Sequence, residues 1–336
     1  MPSSKPRLLV LAGDTLFRSF FDPPRQRRLS RSFRWERTAT LSPDRLRKPL
    51  ALADALLTTW DSPRFGEDLL ELAPRLRLVA HCGGEVKGRF ARPLFERLVI
   101  SNAPAPMAKP VAELAVAFLL HTARNLEGHR LAFRRGARAI HQRIHLHGTD
   151  ETILSRHVGM IGFGRIGQAV AELLRPFEVR LLVHDPYAPR ALARRHGVQF
   201  TSLRRVLSSS RFLILAAALT ERTLGLLDVQ ALARMPDGAT LINVARGGIV
   251  DLEALTREVR RGRLRCALDV TDPQEPLPPG HPLRTAEGAL VTPHVGASAA
   301  SVRRAMADVL LADLERFARG RAVRNRVTAG MLDRMT

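Results

Sequence analysis

Residues 158–167 have the sequence Val-Gly-Met-Ile-Gly-Phe-Gly-Arg-Ile-Gly, an apolar run that ends in three glycines with the spacing G-x-G-x-x-G. The apolar run predicts a strand, and the residues that follow the third glycine predict a helix. Between a strand and a helix this spacing is typical of a turn that binds the pyrophosphate of a dinucleotide. Gly162 permits the tight turn, Gly164 lets the main chain approach the phosphates, and Gly167 lets the helix pack closely on the strand.

The next predicted strand ends in a carboxylate. Asp185 lies 23 residues after Gly162, near the spacing of about 20 residues at which an acidic residue binds the adenosine ribose. A carboxylate at this position repels a 2′-phosphate, and no arginine directly follows it in the sequence. The sequence therefore favours NAD(H) over NADP(H), with the N–H groups of Arg165 and Ile166 at the helix N-terminus facing the pyrophosphate.

Short apolar runs alternate with longer amphipathic runs along the chain, which predicts βαβ units and mostly parallel sheets. The predicted strands are 8–12, 55–58, 76–82, 98–101, 158–163, 180–184, 212–216, 240–244, 265–270 and 289–292. The predicted helices are 111–124, 166–174, 190–196, 252–261 and 302–317, whereas the polar stretch 130–149 is predicted to be a loop or an irregular helix. We expect a doubly wound dinucleotide-binding domain at 107–293, and a discontinuous second domain formed by 1–106 and 294–336.

The composition is that of a folded protein with an unusual charge. The 336 residues suffice for two domains, and 45% are hydrophobic and 25% charged. The net charge is +21, and 49 of the 53 basic residues are arginines. These arginines are scattered along the chain and few aromatic residues lie between them, which argues against a nucleic-acid-binding surface. A positive field of this kind would still speed the arrival of small anions.

Several other classes of protein and site are disfavoured. The apolar run 8–12 is far shorter than the ~20 residues that cross a bilayer, and the N-terminus lacks the pattern of a signal peptide. We therefore expect a cytoplasmic protein without a membrane partner. Cys82 and Cys266 are too few for a disulfide framework or a metal site. No metal is predicted, and the five histidines without a motif are expected on the surface or in loops: His81, His121, His141, His145 and His147.

Three further motifs follow the glycine-rich turn in a fixed order. They are Leu-Ile-Asn-Val-Ala-Arg-Gly-Gly-Ile-Val-Asp at 241–251, Ala-Leu-Asp-Val at 267–270 leading to Glu275-Pro276, and Thr-Pro-His at 292–294. Together with 158–167 they resemble the D-isomer-specific 2-hydroxyacid dehydrogenases, and the resemblance covers about residues 102–298. It implies a Rossmann-like NAD-binding domain inserted in a smaller, flavodoxin-like α/β substrate domain.

The resemblance implies a catalytic set of Arg246, Glu275 and His294, which acts on a small D-2-hydroxy acid or its 2-oxo acid. The chemistry suits these residue types. Reduction of a 2-oxo acid places negative charge on the carbonyl oxygen, which must receive a proton, and histidine titrates near neutrality. Glu275 would favour the imidazolium form and fix its tautomer. Arg246 would hold the substrate carboxylate in its planar fork and polarise the carbonyl.

The resemblance also implies further cofactor and substrate contacts. Asp269 matches a residue that orients the nicotinamide carboxamide, and Thr223 and Val244 match positions near the cofactor. Gly83 and Gly84 lie in the loop whose N–H groups bind the substrate carboxylate in the family. The sequence departs from the family pattern at the nearby Glu85 and Lys87, and at the small residues of 216–220.

The resemblance leaves the partner and two alternative functions open. The family is usually dimeric through the cofactor domain, and helix 111–124 is a plausible contact in a homodimer. The same fold serves as an NAD-sensing corepressor, which retains the catalytic set, and phosphite oxidation also occurs on it. Formate dehydrogenases of this fold usually lack the acidic partner of the histidine, so Glu275 argues against that reaction.

Overall fold

The computed structural model describes residues 5–39, 43–134 and 151–335. Its contacts divide the chain into two units, one formed by Met1–Met107 with Ala297–Thr336 and one by Ala108–Gly296. Most of the stretch predicted to be a loop or irregular helix, including His141, His145 and His147, lies outside the described residues.

The first unit contains a six-stranded sheet with the order β13-β5-β4-β3-β1-β2. Five strands are parallel and β13 is antiparallel. The parallel strands have the spatial order 2-1-3-4-5, which is that of flavodoxin-like folds. The strands are β1 Arg7–Leu11, β2 Arg34–Thr38, β3 Ala55–Thr58, β4 Leu78–His81, β5 Val99–Asn102 and β13 Arg326–Val327. The helices are α1 Asp14–Phe20, α2 Pro23–Ser32, α3 Pro43–Leu52, α4 Leu69–Leu72, α5 Leu94–Arg97 and α13 Ala300–Ala318.

The second unit contains a seven-stranded parallel sheet with the order β12-β11-β10-β9-β6-β7-β8. Numbered from its own first strand, the sheet has the doubly wound Rossmann order 3-2-1-4-5-6 with one further strand. The strands are β6 His157–Ile161, β7 Arg180–His184, β8 Gln199–Phe200, β9 Phe212–Leu215, β10 Thr240–Asn243, β11 Arg265–Leu268 and β12 Ala289–Val291. The helices are α6 Ala108–Ala123, α7 Leu126–Arg134, α8 Arg165–Leu174, α9 Ala191–His196, α10 Leu203–Ser209, α11 Val229–Ala233 and α12 Leu252–Arg260.

Both sheets confirm the predicted fold class, and each predicted strand is present with ends displaced by at most two residues. The strands were recognisable because they are apolar and buried; every residue of β3, β4, β9 and β10 is buried. The ends of two predicted helices are also confirmed, since Gly197 and Gly262 have left-handed φ angles of 66° and 71°. No helix in the described part of the chain is both long enough and apolar enough to cross a membrane.

Two predictions about local structure were wrong. Residues 130–134 were assigned to a loop or irregular helix, but they belong to the regular helix α7, which begins at Leu126. This helix has no fully buried residue, and its few apolar residues did not identify it as a helix that packs on a core. His81 was expected at the surface or in a loop, but it is the last residue of β4 and is fully buried.

Candidate active site

The glycine-rich turn connects β6 to α8 and has the backbone that its sequence predicts. Gly162 has a left-handed φ of 91°, and a Cβ there would lie 2.5 Å from the main chain of Ala217. A Cβ on Gly167 would lie 2.7 Å from the carbonyl oxygen of Gly162. At Gly164, in contrast, no atom lies within 4 Å of the Cβ position. The turn is therefore closed toward the protein and open at Gly164.

The open side of the turn is also the start of a helix. Gly164 is the N-cap of the ten-residue helix α8 and supplies no side-chain cap to its first N–H groups. Arg165 and Ile166 are the first two residues of this helix. An uncapped helix N-terminus with a glycine N-cap carries partial positive charge and can bind a phosphate group.

Asp185 follows β7 and its carboxylate contacts the turn. It accepts hydrogen bonds from the N–H groups of Phe163, Tyr187 and Ala188, at 2.7, 2.8 and 3.1 Å. A carboxylate has about four acceptor positions, so a ribose hydroxyl can still donate to it. The open turn at Gly164, the uncapped N-terminus of α8 and the Asp185 carboxylate together fit a dinucleotide.

Two other predicted cofactor contacts lie near this sheet edge. The Thr223 hydroxyl accepts a hydrogen bond from the Thr220 N–H at 2.8 Å and donates to the Ala218 carbonyl at 2.7 Å. It therefore stabilises the small-residue loop 216–220, whose main chain at Ala217 packs against the glycine-rich turn. Val244 is buried at the end of β10.

Arg246 lies just beyond the carboxyl end of β10, in extended backbone before a short 3₁₀ turn. Asn243 holds this segment, because its side chain donates to the Arg246 carbonyl at 3.0 Å and accepts from the Ala245 N–H at 3.0 Å. Sequence reasoning gave Asn243 no role, although an amide at the end of a wholly buried strand was a usable signal. The guanidinium of Arg246 donates to the Ala245 carbonyl at 2.7 Å.

Glu275 and His294 form a hydrogen-bonded pair. The distance between Glu275 Oε1 and His294 Nδ1 is 2.6 Å, and the other carboxylate oxygen of Glu275 accepts from the Thr271 N–H at 3.2 Å. Glu275 follows β11 and His294 follows β12, and β10, β11 and β12 are successive strands of the same parallel sheet. The carboxyl ends of these strands therefore bring the three residues predicted to be catalytic to one edge, where open α/β sheets bind ligands.

The pair shifts the protonation of both members toward the charged forms. The hydrogen bond and negative charge of Glu275 raise the pKa of His294 above its usual value, although burial and the charge of Arg246 oppose the shift. For Glu275, burial acts to raise the pKa, but the His294 hydrogen bond and charge, with the Thr271 N–H and Arg246, outweigh it and lower the pKa. The pair is therefore suited to an imidazolium beside a carboxylate at neutral pH.

Asp269 is the buried centre of the loop that carries His294. Its carboxylate accepts hydrogen bonds from the Thr292 hydroxyl at 2.6 Å and from the N–H groups of Val295 and Gly296 at 2.8 and 2.9 Å. His294 itself has a left-handed φ of 54°, a conformation that a non-glycine residue keeps only when its surroundings enforce it. The structure thus shows Asp269 organising the loop, a contact that sequence reasoning did not predict.

Gly83 and Gly84, the predicted substrate loop, belong to the first unit and follow β4. His81 lies beneath this loop: its Nδ1 is 2.9 Å from the Thr58 hydroxyl, and a Cβ on Gly83 would lie 2.3 Å from its Nε2. Burial, with a smaller effect from the charge of Arg89, lowers the pKa of His81 to about 3. His81 is therefore neutral, and a neutral imidazole is compatible with a position at the end of a wholly buried strand.

Comparison with known proteins agrees with these motifs. Residues 116–296 match the family model described as D-isomer specific 2-hydroxyacid dehydrogenase, NAD binding domain. A glyoxylate reductase of Pyrococcus furiosus is 31% identical over 293 residues, which are 85% of each chain. A D-3-phosphoglycerate dehydrogenase of Mycobacterium leprae is 36% identical over 278 residues, which are 80% of this chain and 50% of that protein. The chain thus spans about half the length of this second relative.

A solved structure gives the same result for the whole fold. A protein of Thermus thermophilus is 31% identical and superimposes with a TM-score of 0.80, covering 96% of this chain and 100% of that one. The chain belongs to the D-isomer specific 2-hydroxyacid dehydrogenase family. It is an oxidoreductase of the 2-hydroxy acid and 2-oxo acid class, and its cofactor is NAD(H).

Proposed function

We propose that the protein interconverts a small D-2-hydroxy acid and its 2-oxo acid, with His294 and Glu275 as the acid–base pair. The observation that supports this most directly is the 2.6 Å contact between Glu275 Oε1 and His294 Nδ1, at the sheet edge that also carries Arg246. A histidine polarised by a carboxylate beside an arginine supplies the proton donor and the anion binder that reduction of a 2-oxo acid requires.

Arg246 binds the substrate in this proposal. Its planar guanidinium can hold the substrate carboxylate and direct an N–H toward the carbonyl oxygen. The hydrogen bonds of Asn243 to the main chain of residues 245 and 246 fix the point from which the side chain extends. The positive charge of Arg246 would stabilise the carbonyl oxygen as it becomes negative.

His294 supplies the proton. The Nδ1 atom of His294 is hydrogen-bonded to Glu275. The Nε2 atom of His294 is therefore the one that donates a proton to the substrate carbonyl oxygen during reduction and accepts a proton during oxidation. Glu275 favours the imidazolium form, because its hydrogen bond and charge raise the pKa of His294 above its usual value. When bound, NADH supplies the hydride that adds to the carbonyl carbon.

The cofactor-binding residues act together in positioning the dinucleotide. The N–H groups at Gly164, Arg165 and Ile166 would face the pyrophosphate, and Asp185 would accept from the adenosine ribose. Asp269 would orient the carboxamide at the other end, with Thr223 and Val244 alongside. A carboxylate at residue 185 disfavours the extra phosphate of NADP(H), which supports NAD(H) as the preferred cofactor.

Glyoxylate is the substrate that we propose to test first. The Pyrococcus furiosus relative is named for its reduction and matches 85% of this chain. Gly83 and Gly84 would present N–H groups to the substrate carboxylate, with residues 1–106 and 294–336 as the substrate domain and residues 107–293 as the cofactor domain. A homodimer through helix α6 and a cytoplasmic location remain predictions.

The proposal is tested by following NADH oxidation with glyoxylate, hydroxypyruvate, pyruvate, phenylpyruvate and branched 2-oxo acids. The product of each active substrate is then resolved into its enantiomers where it is chiral. Turnover of at least one substrate, with D product from the chiral ones, would support the proposal. NADH binding without turnover of any 2-oxo acid would contradict it and favour an NAD(H)-sensing protein or phosphite oxidation. Formation of L product would contradict the assigned stereochemistry.

A further inference from the structure

The first unit contains a basic cleft at the opposite edge of its sheet from the Gly83–Gly84 loop. The cleft has a volume of about 550 Å³, and the charged residues that line it are Lys5, Arg7, Arg34, Asp54, Arg75 and Arg77. Five of these are cationic and one is a carboxylate. The volume lies within the range of about 300–1,000 Å³ that is usual for small-molecule sites. We infer that this cleft binds a small phosphorylated anion.

The strand register brings the positive charges together. Arg7 and Arg34 are the first residues of β1 and β2 and are register partners in a parallel pair, so their side chains start from the same face of the sheet about 5 Å apart. Arg77 directly precedes β4. Strand β3 lies between β4 and β1 in the same sheet, so the main chains of Arg77 and Arg7 are two strand spacings apart. Like charges on neighbouring strands repel each other unless a counter-charge lies between them.

The single carboxylate of the cleft does not supply that counter-charge. Asp54 is buried, and its carboxylate accepts from the Arg7 main-chain N–H at 2.9 Å and from the Arg75 guanidinium at 3.1 Å. Among the residues that the structure describes, the guanidinium groups of Arg7 and Arg34 have no carboxylate partner. Arg7 and Arg34 are exposed, so their guanidinium groups are accessible to an anionic ligand.

One of the arginines is held in place without a carboxylate. The Arg77 guanidinium lies 5.1 Å from the centroid of the Phe317 ring, a cation–π contact that fixes the group and leaves N–H donors for an anion. Guanidinium groups match the oxygen spacing of phosphate through paired hydrogen bonds. Arg77 is therefore an ordered donor for one phosphate group, and the neighbouring pair Arg7 and Arg34 can bind a second.

The geometry favours a small ligand over a nucleic acid. Nucleic-acid grooves usually offer aromatic faces on which bases stack. Among the described residues that line the cleft, Phe317 is the only aromatic one. Its ring already contacts the Arg77 guanidinium. It also stacks parallel to the ring of Phe33, with 6.5 Å between the two ring centroids. The four residues of β4 separate this cleft from the loop at Gly83 by roughly 13 Å of strand, so the cleft is distinct from the candidate active site.

The test is calorimetric titration of the full chain with inorganic pyrophosphate at fixed ionic strength, with NADH saturating so that the glycine-rich turn is occupied. Saturable binding near one equivalent is expected. Arg34→Gln/Arg77→Gln should weaken it at least tenfold, and Arg34→Glu/Arg77→Glu should abolish it. The matched controls Arg45→Gln/Lys48→Gln and Arg45→Glu/Lys48→Glu change exposed charges of α3 that do not line the cleft, and they should change binding less than twofold.

Several outcomes would overturn the inference. Absence of saturable binding would do so, as would equal losses in the cleft and control variants, since these would indicate a general effect of the positive net charge. Unchanged binding in Arg34→Gln/Arg77→Gln would place the anion elsewhere. A single-stranded oligonucleotide that displaces pyrophosphate and binds more tightly would replace the small ligand with a nucleic acid. NADH affinity and the midpoint of thermal unfolding, measured on each variant, establish that it is folded.

Discussion

The main-chain N–H of His294 donates to the carbonyl oxygen of Asp269 at a distance of 2.8 Å. The carboxylate of the same aspartate accepts from the next two N–H groups, those of Val295 and Gly296. One buried residue thus determines the conformation of the loop on which the proposed proton donor lies, including the left-handed φ of His294.

Replacement of Asp269 by asparagine should therefore displace His294. An amide can accept from one or two of the three donors, but its NH₂ group would face an N–H and leave a hydrogen bond unmade, which costs about 1–3 kcal/mol. We expect kcat for 2-oxo acid reduction to fall by about 10–100-fold. Steady-state kinetics would measure this effect, and kcat equal to that of the unmodified enzyme would show that the loop does not depend on the carboxylate.

The pH profile should depend on Glu275. Reduction needs the imidazolium form of His294, so its rate falls as the pH rises through the pKa of that residue, which lies above the usual value. Glu275→Gln removes the charge that raises this pKa, so the descending limb should move to lower pH. The oxidation reaction needs neutral His294, and its rising limb should move in the same direction. If neither pH profile moves in the variant, Glu275 is not the cause of the raised pKa of His294.

The ribose contact can be tested at Asp185. Asp185→Ala should weaken NADH binding and reduce the discrimination against NADPH, because the variant lacks both the acceptor for ribose hydroxyls and the charge that repels a 2′-phosphate. The three main-chain N–H groups that the carboxylate now accepts from would also lose their partner. Dissociation constants for both cofactors, obtained from nicotinamide fluorescence, provide the measurement. An unaltered NADH to NADPH preference would mean that the ribose lies elsewhere.

The loop at Gly83 should tolerate no larger residue. A Cβ on Gly83 would lie 2.3 Å from Nε2 of the buried His81, so Gly83→Ala should destabilise the protein by about 1–3 kcal/mol. Gly330→Ala is the matched control in the same unit, because no atom lies within 4 Å of its Cβ position. Urea unfolding of both variants gives the comparison. Equal midpoints would show that the loop can shift away from His81 at little cost.

The fold could be predicted from the sequence where apolar runs indicate strands and where a glycine indicates the end of a helix. The region 23–38 could not, because its elements α2 and β2 carry few apolar residues. Strand β2 has the sequence Arg-Trp-Glu-Arg-Thr and no fully buried residue, and α2 buries only Leu29. A usable signal was present at the start of α2, where the Asp22 side chain caps the helix and Pro23 is its first residue.

The candidate site was predicted in its residues but not in its supporting contacts. Motif order identified Arg246, Glu275 and His294, and the parallel topology explains why they meet at one edge. The contacts of Asp269 with residues 292–296 could not be predicted, because they join two loops that are 23 or more residues apart in sequence. The burial of His81 was missed for a similar reason: a polar residue at a strand end gives no sign of the Thr58 hydroxyl beside it.

The most direct test of the proposed mechanism is His294→Ala, assayed for NADH-dependent reduction of the best 2-oxo acid together with NADH affinity. We expect kcat to fall by at least about 10²-fold, the usual contribution of a general acid, while the dissociation constant for NADH changes little. Turnover equal to that of the unmodified enzyme would contradict the assignment of His294 as the proton donor.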